Sequence, residues 1–212
     1  MALKDEIEFG KARQELTALA DGGIIVDQGE DLLKVELACG TRKKEGFKGM
    51  DRVAIEGVDI VHDLFSFPWP LKDESVYEFN TEHFFEHIPH HIAGCNMDGL
   101  FAVMEEVYRC LMPEGTIRVV TPYYASKEAV QDPTHCREIC EVTYDYFNQN
   151  VTKAMGIGHY MPKCNFEKLY QKRIANPEWE GKADTAIRWA GDHYLNVYRE
   201  IEVMLRKKPL LE

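Results

Sequence analysis

The 212-residue chain is 45% hydrophobic and holds 25 Lys and Arg against 36 Asp and Glu, a formal net charge of -11. That composition supplies the core of one folded domain and excludes disorder for the bulk of the chain. The acidic balance argues against broad nucleic-acid binding, which needs a basic face to neutralise phosphates. No apolar run reaches the roughly 18 residues that span a bilayer and the N-terminus has no secretory pattern, so a cytoplasmic protein without a membrane span is expected.

Residues 4 to about 20 carry apolar side chains at helical spacing and end at Asp21-Gly22-Gly23, which predicts a helix packed on a sheet. Three short apolar runs follow, each edged by an acid. They are Val35-Glu36-Leu37-Ala38-Cys39-Gly40, Phe47-Lys48-Gly49-Met50 before Asp51, and Val58-Asp59-Ile60-Val61-His62 before Asp63. Runs of this length read as buried strands of a parallel sheet, and ligands of such sheets sit beyond the strand C-termini. Acids at those ends suit a nucleoside that carries positive charge. The first strand is expected over 32–37 and the third over 58–62. Only eleven positions separate Gly40 from Asp51, so the connection between the first two strands is abbreviated to a loop or one helical turn. Arg42, Lys43, Lys44 and Lys48 fall in that connection, but Glu45 interrupts them and a solvated loop is the simpler reading.

Two prolines in Phe65-Ser66-Phe67-Pro68-Trp69-Pro70 rule out helix and central strand there, and Val76-Tyr77-Glu78-Phe79-Asn80 is the fourth strand. Apolar residues at i, i+3, i+4 and i+7 predict a helix over 97–112, stopped by Pro113-Glu114-Gly115, with a fifth strand over 116–120. Residues 122–165 lose the alternation and are rich in Tyr, His, Asp and Asn, as lids and binding loops are. Alternating stretches over 166–175 and within 194–206 predict two terminal strands, antiparallel to one another. The six cysteines, Cys39, Cys95, Cys110, Cys136, Cys140 and Cys164, lack close metal-ligand spacing and read as reduced thiols.

The order of these signals resembles the class I S-adenosylmethionine-dependent methyltransferases, in particular their methyltransferase type 11 branch. The resemblance spans roughly residues 32–147. It rests on Glu36-Leu37-Ala38-Cys39-Gly40, Asp51, His62-Asp63-Leu64, the bridge from Pro68-Trp69-Pro70 to Val76, Glu82-His83-Phe84-Phe85-Glu86-His87, and Tyr108-Arg109-Cys110-Leu111-Met112-Pro113-Glu114-Gly115. It implies a Rossmann-like α/β fold, a mostly parallel sheet flanked by helices, in a single domain over 1–212 with 122–165 as an acceptor-side lid or insertion. It also implies S-adenosylmethionine as cofactor. Gly40 and Ala38 would let the backbone approach it, Glu36 would anchor its methionine end, Asp51 would bind the ribose hydroxyls, and Asp63 and Leu64 would meet the adenine. Thr81, Glu82 and His83 would meet the methionine portion. The cofactor has a sulfonium and an ammonium but no phosphate. Ala38, where many relatives have glycine, and the lack of room for a long helix therefore weaken a nicotinamide reading more than a methyltransferase one.

His83-Phe84-Phe85-Glu86-His87 also fits the inverted zinc-peptidase pattern H-x-x-E-H. Without a third ligand downstream, no metal is expected. His90 and His91 beside Pro89 read as an exposed capping turn. Cys136 and Cys140 stand at helical i, i+4 spacing but read as two separate small thiols. Asp132-Pro133-Thr134-His135 and Tyr144-Asp145-Tyr146-Phe147 resemble a segment that folds over the acceptor pocket. His135 is the first candidate for a general base, with Glu82 and His83 behind it, and Tyr123, Tyr124 and Tyr146 either wall the pocket or pack under the lid. The expected activity is methyl transfer to a small molecule, sugar or lipid-linked metabolite. The alternatives are a non-catalytic or regulatory subunit on the same fold, and an aminopropyl transferase, for which no second carboxylate pair is evident.

Overall fold

A computed structural model describes residues 32–211, and the helix expected over residues 4 to about 20 lies outside the described residues. Seven strands, β1 (Lys34–Leu37), β2 (Lys48–Asp51), β3 (Ile60–Val61), β4 (Val76–Glu82), β5 (Leu111–Pro122), β6 (Phe166–Ala175) and β7 (Tyr198–Lys207), build one sheet in the order β3-β2-β1-β4-β5-β7-β6. β1 to β5 run parallel, β7 is antiparallel to β5, and β6 is antiparallel to β7. Among the described residues four helices accompany them: α1 (Gly99–Cys110), α2 (Lys127–Gln131), α3 (Gln149–Ala154) and α4 (Asp184–His193). Residues 38–47, between β1 and β2, contain no helix, in agreement with the short connection read from the sequence.

β1 is central because Val35, Glu36 and Leu37 are all buried, with Val35 opposite Phe79 and Leu37 opposite Thr81 of β4. The helical periodicity is realised in α1. Asp98 caps it by accepting from the Leu100 N–H at 2.9 Å, and Leu100, Val103, Met104 and Val107 join Phe79 and Ile117 in one apolar core. Gly99 is required at its first turn, because a Cβ there would stand 2.1 Å from the Pro89 carbonyl oxygen. Arg109 and Glu106 on α1 hold the proline-rich bridge: the Trp69 N–H donates to Glu106 Oε1 and the Arg109 guanidinium donates to the Leu71 carbonyl at 3.0 Å. Trp69, 2% exposed, then packs edge-on against Phe79. A loop without a helix is thereby fixed across the sheet.

The sequence expectations over residues 97–120 are corrected. The predicted helix over 97–112 ends at Cys110, and the chain enters β5 at Leu111 rather than 116. Pro113-Glu114-Gly115 is a break within the β4–β5 ladder, which pairs Val76 with Leu111 and resumes at Glu78 with Thr116. Proline cannot donate to the ladder and Glu114 has φ 62, so the strand bulges there. α4 was not foreseen. Cys136 and Cys140 do not share a helix, and all six cysteines are free, in agreement with the reading of separate reduced thiols.

Candidate functional site

Parallel pairing brings the C-terminal ends of β1, β2, β3 and β4 to one edge, and the residues expected to hold the cofactor gather there. Beyond β1 the chain turns sharply, with φ 53 at Ala38 and 52 at Gly40, and a side chain added at Gly40 would meet nothing within 4 Å. Asp51, the last residue of β2, accepts from the Gly40 N–H at 3.0 Å and from the Val53 N–H at 3.1 Å. Asp63 accepts from the Phe65 N–H at 3.0 Å through Oδ1 and is otherwise exposed, while the neighbouring Leu64 is buried. Thr81 is fully buried with its hydroxyl unpartnered.

Glu36 is 6% exposed and bound on both oxygens, by Asn80 Nδ2 at 2.9 Å and by the Lys44 N–H. Asn80 Oδ1 accepts from Arg118 at 3.0 Å, and Arg118 also donates to Glu82 and, at 2.8 Å, to Glu202. Tyr170 donates to the same Glu202 oxygen at 2.6 Å. A polar ladder thus crosses from β1 through β4, β5 and β7 to β6. Asn80 and Arg118 are its middle members and were not assigned roles from sequence. The available signal was a charge inside the apolar run Thr116-Ile117-Arg118-Val119-Val120.

Glu82, the last residue of β4, is half exposed and engaged by Arg118. His83 has φ 55, so the H-x-x-E-H run does not continue as one helix, and a short 3-10 turn covers only Phe85–His87. The His83 ring lies between Glu200, 3.5 Å from Nε2, and Glu86, 3.3 Å from Nδ1. Glu200 first and Glu86 second raise its pKa to about 9 against the opposing effect of burial, so His83 holds its proton at neutral pH. That state makes it a poor base. The Cys136 N–H donates to the Glu86 carbonyl at 2.7 Å and docks the 132–136 loop on the turn after β4, which sets His135 against His87 with ring centroids 4.7 Å apart. Tyr123 is buried and donates to Glu141, whereas Tyr124 and Tyr146 are exposed. His90 pairs with the α1 cap Asp98 at 2.9 Å.

No family model matches the chain, and no curated protein matches it in sequence. Solved structures do. An S-adenosylmethionine-dependent methyltransferase from Archaeoglobus fulgidus superposes with a TM-score of 0.51 over 94% of each chain at 17% identity. A chain from the complex between the Trm112 methyltransferase activator of Haloferax volcanii and a methyltransferase gives 0.50 over 85% of this chain and 84% of that one, at 14% identity. The chain has the class I methyltransferase fold.

In this methyltransferase fold the antiparallel β6–β7 hairpin closes one side of the sheet and leaves the C-terminal edge of β1–β4 to the cofactor candidates. A cavity of about 370 Å³ lined by Tyr146, Lys153, His159, Cys164 and Leu211 among others contains none of those candidates. The chemistry of the edge outweighs the size of the hollow, because a sheet of this type binds ligands beyond its strand ends. Among the described residues no helix is long and apolar enough to cross a membrane.

Proposed function

We propose that the protein is an S-adenosylmethionine-dependent methyltransferase, folded as a single domain with residues 122–165 covering the acceptor. The observation that carries this reading is the gathering of Glu36, Gly40, Asp51, Asp63 and Thr81 at one sheet edge with acids where a cationic nucleoside would lie. A carboxylate has about four acceptor sites, and Asp51 spends two on backbone amides, so two remain for the ribose hydroxyls. Gly40 and Ala38 bring backbone close to the cofactor, Asp63 and Leu64 flank the adenine, and Glu36 with the Thr81–Glu82 segment receives the methionine end.

Transfer is an in-line displacement: the acceptor's lone pair bonds to the methyl carbon, the carbon–sulfur bond breaks, and its electrons neutralise the sulfonium to give S-adenosylhomocysteine. A hydroxyl acceptor loses its proton to a nearby base. With His83 protonated and Glu82 bound to Arg118, His135 is the group fitted to that role, and alignment by the lid supplies most of the rate. The -11 net charge favours a small-molecule, sugar or lipid-linked acceptor over a nucleic acid.

Calorimetry with S-adenosylhomocysteine tests the cofactor half. Binding is expected, with a loss of roughly 100- to 200-fold in Asp51→Ala, equal to two hydrogen bonds to an ionised group at the low end of their range, about 3 kcal/mol in all. No binding, or undiminished binding in the variant, refutes it. Labelled cofactor supplied with fractionated cell extract identifies the acceptor.

A further inference from the structure

Glu86 is 1% exposed, yet neither of its carboxylate oxygens receives a hydrogen bond. An ionised carboxylate in that position is costly unless a cation answers it. The neighbouring His83 ring stands 3.3 Å from Oε1 outside hydrogen-bond alignment and is shared with Glu200, and Oε2 has no partner among the described residues. Across from it stand His87 and His135, and one nitrogen of each ring lies with a Glu86 oxygen inside a group whose members are all within 4.8 Å of one another.

The hydrogen bonds fix both tautomers. Thr134 donates its hydroxyl proton to Asp132 Oδ1 at 2.7 Å, so at 3.0 Å it can only accept from His87 Nδ1–H. His135 Nδ1–H donates to the Ala129 carbonyl at 2.9 Å. In each ring Nε2 is left as a free lone pair, and Asp132 Oδ2, 4.0 Å from His135 Nε2, is too distant to claim it by a hydrogen bond. A ring nitrogen held by a carbonyl or a hydroxyl, with the other left free for a metal, is the supporting pattern of metal-binding histidines. The bond from Cys136 N–H to the Glu86 carbonyl joins the two loops, and that from His135 N–H to the Asp132 carbonyl fixes the turn that carries His135.

We propose that Glu86, His87 and His135 bind a divalent transition-metal ion, zinc first, with a fourth position open. Two imidazoles and one carboxylate make the three-ligand set of zinc sites that keep a place for an exogenous ligand, and they disfavour magnesium or calcium, which take oxygen. Donors of a tetrahedral zinc ion with bonds of this length lie about 3.3 Å apart, so small rotations of the partly exposed His87 and His135 side chains close the group. The set differs from the H-x-x-E-H reading, since His83 is excluded and the second histidine comes from position 135. Metal binding stands without the methyl-transfer reading. The use of the open position rests on that reading: it would hold an acceptor hydroxyl and lower its pKa, and His135 would then serve as ligand in place of base.

The test uses untagged full-length protein purified without added metal or chelator. Roughly one zinc per chain by mass spectrometry is expected, together with the intense visible bands of four-coordinate cobalt when the apoprotein is titrated with Co(II). Glu86→Gln and His135→Ala each lower zinc affinity at least about 100-fold, Thr134→Val, which frees the His87 tautomer, about 10-fold, and His90→Ala leaves it unchanged. Absence of zinc and of the cobalt bands, or equal affinity in Glu86→Gln, His135→Ala and Thr134→Val, overturns the site. Circular dichroism and S-adenosylhomocysteine calorimetry are run on every variant, so a misfolded one is recognised and judged by Thr134→Val instead. In the wild-type protein, absence of zinc with retained S-adenosylhomocysteine binding condemns the metal site alone, and bound zinc without S-adenosylhomocysteine binding condemns the methyl-transfer reading alone.

Discussion

Replacing Asn80 by leucine removes the middle of the polar ladder while keeping the branching and number of heavy atoms of the side chain, so no cavity is made. Asn80 is fully buried and joins Glu36 to Arg118 by bonds of 2.9 and 3.0 Å. A hydrogen bond to a charged group contributes about 1.5–3 kcal/mol, and two give an upper bound of about 3–6 kcal/mol. The two halves are unequal. Arg118 keeps Glu82 and Glu202 and relaxes toward them, whereas Glu36, 6% exposed, is left with the Lys44 N–H alone. A net loss of about 2–4 kcal/mol follows from weighting the Glu36 side. With a urea slope of about 2 kcal/mol/M, the unfolding midpoint falls by about 1–2 M. Glu36→Gln is the partner variant, and the double substitution should cost about 1 kcal/mol less than the sum of the singles, because both remove one bond. A midpoint shift below about 0.3 M in Asn80→Leu, or strict additivity, refutes the ladder as a stabilising unit.

Glu202 offers a pH test. Burial alone would raise its pKa, but the hydrogen bonds from Arg118 and Tyr170 outweigh it and hold the carboxyl below its ordinary value of 4.5. Its contribution is therefore fully present above that value and is lost as pH falls through the lower folded-state value. The urea midpoints of wild type and Glu202→Gln should differ most near pH 6 and converge toward about pH 3; a gap that widens on acidification contradicts the assignment. The thiols give a second test. Burial, then Asp51 and Glu36, push Cys39 up to about 11, and burial pushes Cys110 up to about 12, while Cys136 is exposed. Alkylation by iodoacetamide at pH 8, followed by mass spectrometry, should modify Cys136 long before either, since a thiol at 11 is only about a thousandth ionised there. Comparable labelling of Cys39 would mean that its loop opens.

What the sequence revealed of this molecule was what depends on neighbours in the chain. The edge acids are legible because a strand end is marked by its own glycine or turn, as Gly40 marks that of β1. α1 is legible because one apolar stripe meets one core. α4 is not: its apolar face toward the core is only Ile187 and Ala190, with Ala190 alone buried and Trp189 exposed, too short a stripe to declare a helix from spacing. The histidine run misleads for a related reason. Spacing of i, i+4 presumes a helix, but His83 takes a left-handed conformation and Ile88 turns extended before Pro89, leaving one 3-10 turn between them. The ladder is hidden by distance, since Arg118 meets Asn80 and Glu202 38 and 84 positions away and only the sheet register brings them together.

The same edge acids show why strand-end carboxylates serve two purposes at once. Asp51 holds Gly40 and Val53, Glu36 holds Lys44, and Asp63 holds Phe65, each through a backbone N–H of the adjoining loops. Those amides would otherwise compete for water, so the acids fix the loop shapes before any ligand arrives, and a pre-shaped loop costs less to order on binding. Removing such an acid subtracts a ligand contact and loosens the loop together, so the affinity lost in Asp51→Ala exceeds the worth of the ribose contacts alone. Asp51→Asn divides the two in part, because its single amide oxygen can still accept from Gly40 while Val53, held by the other carboxylate oxygen, loses its acceptor together with the charge and two acceptor lone pairs. The part of the loss that Asn restores belongs to the Gly40 turn, and the rest is shared between the Val53 contact and the ligand.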